Sequence, residues 1–280
     1  MKKYNNYKLT EKLRIDTTVL TEDKTIDLII QNCKEFIDKP EMIFRGVNAD
    51  DDFLLIDPKL IERNSSTNTN QYNLIIDNTW EGYPKRKNSL CCTSDEYIAE
   101  QFAPTIYYVI PFDNSKWALS PDTDLWASFE KISIRYNLAL DTFFKILNRV
   151  YSYYYPNDEQ LDHIIDFELY KNSINKLNAA VISDCSENGF DVVNDKIAET
   201  NKAYFNFEIK KILTDLNKDN FFETLVKIMN PTDNGFSLMN YKNMIVYSDI
   251  ELWTDSKCIL IEVNKYDDLY NKIKTKYEEI

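Results

Sequence analysis

Ile26, Ile29, Ile30, Cys33 and Phe36 lie three or four residues apart over residues 25–37. This spacing predicts an amphipathic helix, with Thr21 or Thr25, not both, as its cap. Pro40 follows it, and Met42 to Val47, an apolar run that carries Arg45 and then Gly46, predicts a strand. Residues 50–83 are polar and rich in Asn, Ser and Thr around one apolar run, Tyr72 to Ile76, so mostly loop is expected there. Asn88 to Thr93 reads as a second strand and Ile106 to Phe112 as a third. Between them, Ser94-Asp95-Glu96 reads as the cap and acidic first turn of a helix that carries Ile98, Ala99 and Phe102.

The middle of the chain changes period. Leu125, Phe129, Ile132, Tyr136, Leu140, Phe143, Leu147, Val150 and Tyr154 predict one long helix ended by Pro156. Further helical patterns cover about 160–178 and 202–229, with Pro231 as the stop. Strand patterns return at Met244 to Trp253 and Cys258 to Val263, and Tyr266, Leu269, Tyr270, Ile273 and Tyr277 predict a closing helix. Strands at both ends around a helical block predict a single α+β domain over 1–280, its sheet built from both ends, with a helical insertion at about 122–230.

Composition narrows the chemistry. A 280-residue chain with 44% hydrophobic and 28% charged residues is globular in type. Its net charge of −13 gives no general attraction for phosphate backbones, so a nucleic-acid partner would need a local basic patch. Lys85-Arg86-Lys87 is a compact cluster of that kind: a solvated turn is its simplest reading, and contact with a phosphate or an RNA acceptor is the other. The one histidine, His163, lies in a stretch that reads as a helix surface, and it excludes a two-histidine zinc motif. Four glycines, none spaced for a dinucleotide fingerprint, a phosphate loop or a nucleophile elbow, exclude those motifs too. Five cysteines without a C-x-x-C pair speak against a zinc ribbon or a disulfide framework. With no apolar N-terminal run and no apolar stretch of membrane-spanning length, the expectation is a cytoplasmic protein with no metal and no membrane partner.

Three polar features interrupt apolar strands. Arg45 is either an edge-strand arginine paired with one of the 46 acids or a guanidinium aimed into a cleft to grip a phosphate or carboxylate. Ser89-Leu90-Cys91-Cys92-Thr93-Ser94 ends a strand in small hydroxyl and thiol side chains just before a helix, either as an ordinary cap or as an anion-holding turn. In the run to Trp253, period two sends Met244, Val246, Ile250 and Leu252 to one face and Asp249, Glu251 and Trp253 to the other. That second face is either solvated or lines a cleft where positive charge is stabilised.

In this order, Phe44-Arg45-Gly46, Cys92-Thr93-Ser94 with Ala99 and Phe102 behind it, and Asp249-Ile250-Glu251 resemble the three motifs of the R-S-E class of mono-ADP-ribosyltransferases, in their bacterial and phage form. The polar stretch from Arg63-Asn64-Ser65 through Tyr83-Pro84-Lys85-Arg86 to Ser89 is similar to what precedes the second motif in a phage branch of that group. The resemblance covers most of the chain apart from the helical middle. It implies a split β-sandwich core and transfer of ADP-ribose from NAD, as co-substrate, to a macromolecule. Arg45, Gly46, Cys92, Thr93 and Ser94 would bind NAD, Thr93 and Ser94 positioning its ribose and the catalytic acid, and Glu251 would be the catalytic glutamate, with Arg45 and Thr93 as its partners in catalysis. Asp249, Phe236 and Tyr241 would meet the acceptor, a protein somewhat before a nucleic acid given the charge.

The resemblance has departures. Cys92 stands where the family carries a serine, and a thiol is a weak hydrogen bonder. Asp249 replaces the first glutamate of the pair, and the long separation of Cys92 from Glu251 implies an added helical element that recognises a target, meets an antitoxin or inhibitor, or buttresses the sheet. A toxin or effector in phage–host conflict is the setting the family implies. NAD glycohydrolysis, with water as acceptor, and a catalytically silent binding module are the alternatives.

Overall fold

The computed structural model describes residues 17–60, 70–129, 140–189, 220–247 and 249–279. Two compact units divide the chain: a sheet unit of residues 1–64, 82–124 and 237–280, and a helical unit of residues 65–81 and 125–236. The expected α+β character is present as a large antiparallel sheet with eight α-helices among the described residues.

The sheet unit holds nine strands: β1 (Thr17–Val19), β2 (Phe44–Val47), β3 (Phe53–Ile56), β4 (Leu90–Thr93), β5 (Thr105–Pro111), β6 (Lys116–Leu119), β7 (Ser237–Asn240), β8 (Glu251–Thr254) and β9 (Cys258–Glu262). Their order is β1-β3-β9-β5-β2-β4-β8-β6-β7, every pairing antiparallel. Both ends of the sequence therefore meet in its centre. Helices α1 (Glu22–Asn32) and α2 (Lys34–Asp38) cover the sheet with Ile26, Ile29, Ile30 and Phe36, and their cluster includes Val47, Leu54, Leu90, Cys92, Val109, Leu252 and Leu260 from the strands.

The single helix expected over 25–37 is thus two, because Cys33 leaves helical geometry (φ −128°) after its N–H has bonded to Ile29 O at 2.8 Å. The span expected to be loop contains β3 and α3 (Asn70–Thr79). The short α4 (Glu96–Ala99) is capped by Asp95, whose carboxylate accepts from Tyr97 N at 2.7 Å and Ile98 N at 3.3 Å, because Ser94 is engaged elsewhere.

The helical unit contains α3, α5 (Leu140–Tyr154), α6 (Phe167–Asn188) and α7 (Phe221–Ile228). Asp166 caps α6 by accepting from Leu169 N at 2.8 Å, so the expected helix starts later than residue 160 and His163 sits exposed in the turn before it. Asn220 caps α7 by accepting from Phe222 N at 2.8 Å. The core of this unit is aromatic: Trp80 packs on Phe236 and Phe129 at centroid distances of 4.7 and 6.3 Å, and Tyr72 on Phe144 at 4.7 Å. The helical expectations at Ile132 and Tyr136 and over 202–219, and the Arg63-Asn64-Ser65 stretch, fall outside the described residues.

The sheet unit closes with α8 (Val263–Glu278), which follows β9 directly and adds Leu269 and Ile273 to the main cluster. Of the strand expected over Met244 to Trp253, only Glu251 onward pairs. Upstream, Asp249 takes a left-handed backbone (φ 61°), and side chains serve the main chain instead of a neighbouring strand: Lys39 Nζ donates to Met244 O, and Val246 N donates to Glu41 Oε2 at 3.4 Å. No helix among the described residues is long and apolar enough to cross a membrane.

Candidate functional site

β2, β4 and β8 are consecutive in the sheet. Between β2 and β4 only Phe44 and Thr93 are in register, while β4 and β8 pair over four residues, Leu90 with Thr254 through Thr93 with Glu251. Residues opposed across an antiparallel pair point to the same face. Thr93 and Glu251 therefore share one face, and Cys92 with its partner Leu252 takes the other.

This register corrects the reading of Cys92. Its thiol lies in the hydrophobic cluster, fully buried, with Leu90 O 3.8 Å from its Sγ, so it is placed to pack and not to hold a cofactor. A hydroxyl, that of Thr93, stands opposite the carboxylate instead.

Arg45 lies on an inner strand between β5 and β4, so the edge-strand reading does not apply. Its side chain is buried, Nη1 donates to Cys91 O at 2.9 Å, and the guanidinium sits 4.5 Å from the Phe102 ring centroid. Gly46 beside it is required by a close approach: a Cβ there would lie 2.3 Å from Ala99 O and 2.7 Å from Ala103 N.

Ser94 clamps the start of β8. Its N–H donates to Ile250 O at 3.2 Å and its Oγ accepts from Ile250 N at 3.0 Å. Thr93 Oγ1 accepts from Asp95 N at 3.2 Å, tying the end of β4 to the cap of α4. On its far side Glu251 N donates to Asp122 O at 3.0 Å and Ser120 N donates to Glu251 O at 2.8 Å. The backbone of Glu251 is thus held from both sides.

Glu251 itself is 8% exposed, and its Oε1 accepts from Arg86 Nη1 at 2.7 Å. The arginine of the basic cluster is therefore not in a solvated turn: it is buried, and its guanidinium lies 5.0 Å from the Trp253 ring, whose Nε1 donates to Pro84 O at 2.9 Å. Arg86 is the residue that sequence reasoning did not assign to the site. The available signal was an arginine, one of six in the chain, held between Pro84 and the small polar run of β4.

Asp249 is exposed just before β8, and its shared hydrogen bond with the Asp95 carboxyl raises it above the ordinary carboxylate range. Phe236 and Tyr241, expected at the acceptor, are both buried. Phe236 belongs to the aromatic core of the helical unit. Tyr241 lies in a turn (Tyr241–Asn243) of the sheet unit, its hydroxyl accepting from Glu41 N at 3.0 Å, and burial pushes its phenol far up. Neither ring presents a face to an acceptor, whereas Ile245 and Tyr247 in the same stretch are exposed. Among the described residues no group of three or more His, Cys, Asp or Glu side chains is arranged to hold a metal ion.

Comparison of the chain with protein-family models, with curated proteins and with solved structures finds no match.

Proposed function

We propose that the chain is a mono-ADP-ribosyltransferase, with an ADP-ribosyltransferase-like split core formed around β2, β4 and β8. The observation that carries this reading is that Arg45, Thr93 and Glu251 fall on three consecutive strands, with Thr93 and Glu251 in register. Arg45 is the group for the NAD phosphates, and the Phe102 ring, 4.5 Å from its guanidinium, helps hold it in place for bidentate contact.

The chemistry asks for few groups. Nicotinamide departs as a neutral molecule when the bond from its ring nitrogen to the ribose C1′ breaks and the electron pair stays on nitrogen, so no general acid is needed. The ribose left behind is oxocarbenium-like, and a fixed carboxylate facing it lowers the barrier. Glu251 is that carboxylate. Its backbone is already held by Ser94 through Ile250 and by Asp122 and Ser120, so little reorganisation is left for the reaction. An acceptor nucleophile then bonds to C1′ and gives up its proton. A protein acceptor suits a chain of net charge −13 better than a nucleic acid does, and a toxin or effector acting between phage and host is the setting we propose.

The test is incubation of the purified protein with NAD labelled on its adenylate side and a bacterial lysate, with Glu251→Gln in parallel. Nicotinamide release and label in a protease-sensitive fraction, both lowered about 10³-fold by Glu251→Gln, is the expected result. Release without label makes the protein a glycohydrolase. No release from the wild type leaves the strands as a fold without this chemistry.

A further inference from the structure

Resting on the transferase reading above, we propose that Arg86 is a positioning residue for Glu251, holding its carboxylate in one orientation for the departing nicotinamide. Among the described residues Glu251 is the one buried glutamate, and Arg86 is as buried as its partner: their side chains are 11% and 7% exposed. A charge taken out of water needs a partner and hydrogen bonds, or it takes up or loses a proton.

Arg86 is itself held. The turn Arg86–Asn88 is closed by Asn88 N donating to Lys85 O at 3.1 Å, by Ser89 N donating to Arg86 O at 3.3 Å and by Ser89 Oγ donating to Lys85 O at 2.7 Å. Trp253 lies two residues after Glu251, on the same face of β8, and it takes hold of the same turn through Pro84 O while its ring faces the guanidinium. One turn thus grips both the carboxylate and the ring beside it. A guanidinium fixed in this way does not swing aside as a latch would; it aims the group it binds.

The experiment measures nicotinamide release from NAD by the full chain for wild type, Arg86→Gln and Arg86→Lys, with each variant's folded fraction checked by thermal melting. Arg86→Gln is expected to lower kcat about 30- to 100-fold while KM for NAD stays within about threefold. Arg86→Lys, which keeps the charge but not the planar fork, should lose only about tenfold in kcat. It decides the matter if Arg86→Gln does not fold. Wild-type kcat in the variants, or a loss confined to KM, overturns the positioning role and leaves the transferase reading standing. A wild type that releases no nicotinamide removes that reading and this one with it.

Discussion

The two units bury different chemistry. Both units bury rings, Trp117, Trp253 and Tyr107 in the sheet unit and Trp80, Phe129, Phe143 and Phe236 in the helical unit, but the sheet unit also buries Arg45, Arg86 and Glu251 together with Thr93. Asp77 is the one charged side chain buried in the helical unit among the described residues. Removing charge from water costs several kcal/mol per ion, on the order of what a whole domain has to spare, so buried ions persist where something other than stability keeps them. Rings cost nothing of the kind and stabilise by area and packing. If the proposed function holds, the chemistry belongs to the sheet unit and the helical unit supplies cohesion, and this can be tested in both.

The largest effect on stability is expected from Trp80→Ala. The indole is 5% exposed, packs on Phe129 and Phe236 and donates to Met229 O at 2.9 Å, so its loss leaves a cavity and an unserved carbonyl. A cost of about 3–5 kcal/mol follows. Hydrogen exchange should show faster exchange in α3 and α7 and unchanged protection in β2, β4 and β8, with nicotinamide release per folded molecule preserved. A fall in turnover as deep as that of Glu251→Gln would break the division between the units.

Gly46→Ala attacks the other side of the comparison. The new methyl meets Ala99 O and Ala103 N, both backbone, so α4 must move away from β2. A loss of about 1–3 kcal/mol is expected on denaturant unfolding, this time with turnover lost as well, because Arg45 is the neighbouring residue. Arg45→Lys is milder: an ammonium keeps the charge but does not form a planar fork, and kcat/KM for NAD should fall about tenfold, or about 1.4 kcal/mol. An unchanged kcat/KM would place the NAD phosphates elsewhere.

Long amphipathic periods were readable from residue order alone. The alternation of Ile26, Ile29, Ile30 and Phe36, and that of Leu269 and Ile273, marks helices wherever the chain is long enough to repeat a face. The strands β6 and β7 were not readable, because four residues such as Lys116-Trp117-Ala118-Leu119 hold too few repeats to reveal period two. At the site, Arg45, Thr93 and Glu251 could be named as residue types in order, but not the register that turns Cys92 into the core and Thr93 towards the carboxylate. Arg86 was hidden for a related reason. A charge cluster in sequence carries no sign of which member a distant strand buries, and 165 positions separate Arg86 from its partner. Phe236 and Tyr241 show the converse, since proximity to Glu251 in sequence did not bring their rings to a surface.

The smallest effect sharpens the comparison at its edge, where charge is exposed and so weakly coupled to stability. Asp249 and Asp95 share a hydrogen bond that raises the Asp249 carboxyl in the folded protein above its value in the unfolded chain. The folded state therefore holds that proton to higher pH. Its stabilising contribution is full below the unfolded carboxylate value and is lost as pH rises through the raised folded value, beyond which two negative charges face each other. Asp249→Asn removes the titration while keeping a residue that tolerates the left-handed backbone at φ 61°, so conformational strain stays matched. The variant should melt slightly above wild type near about pH 7, and the gap should shrink as pH falls towards about 4. A gap that is the same at both ends would place its origin in the backbone turn and not in the carboxyl pair. A gap that closes would show that even at this exposed position charge is set against stability, on the same segment that two residues later carries Glu251 into the sheet.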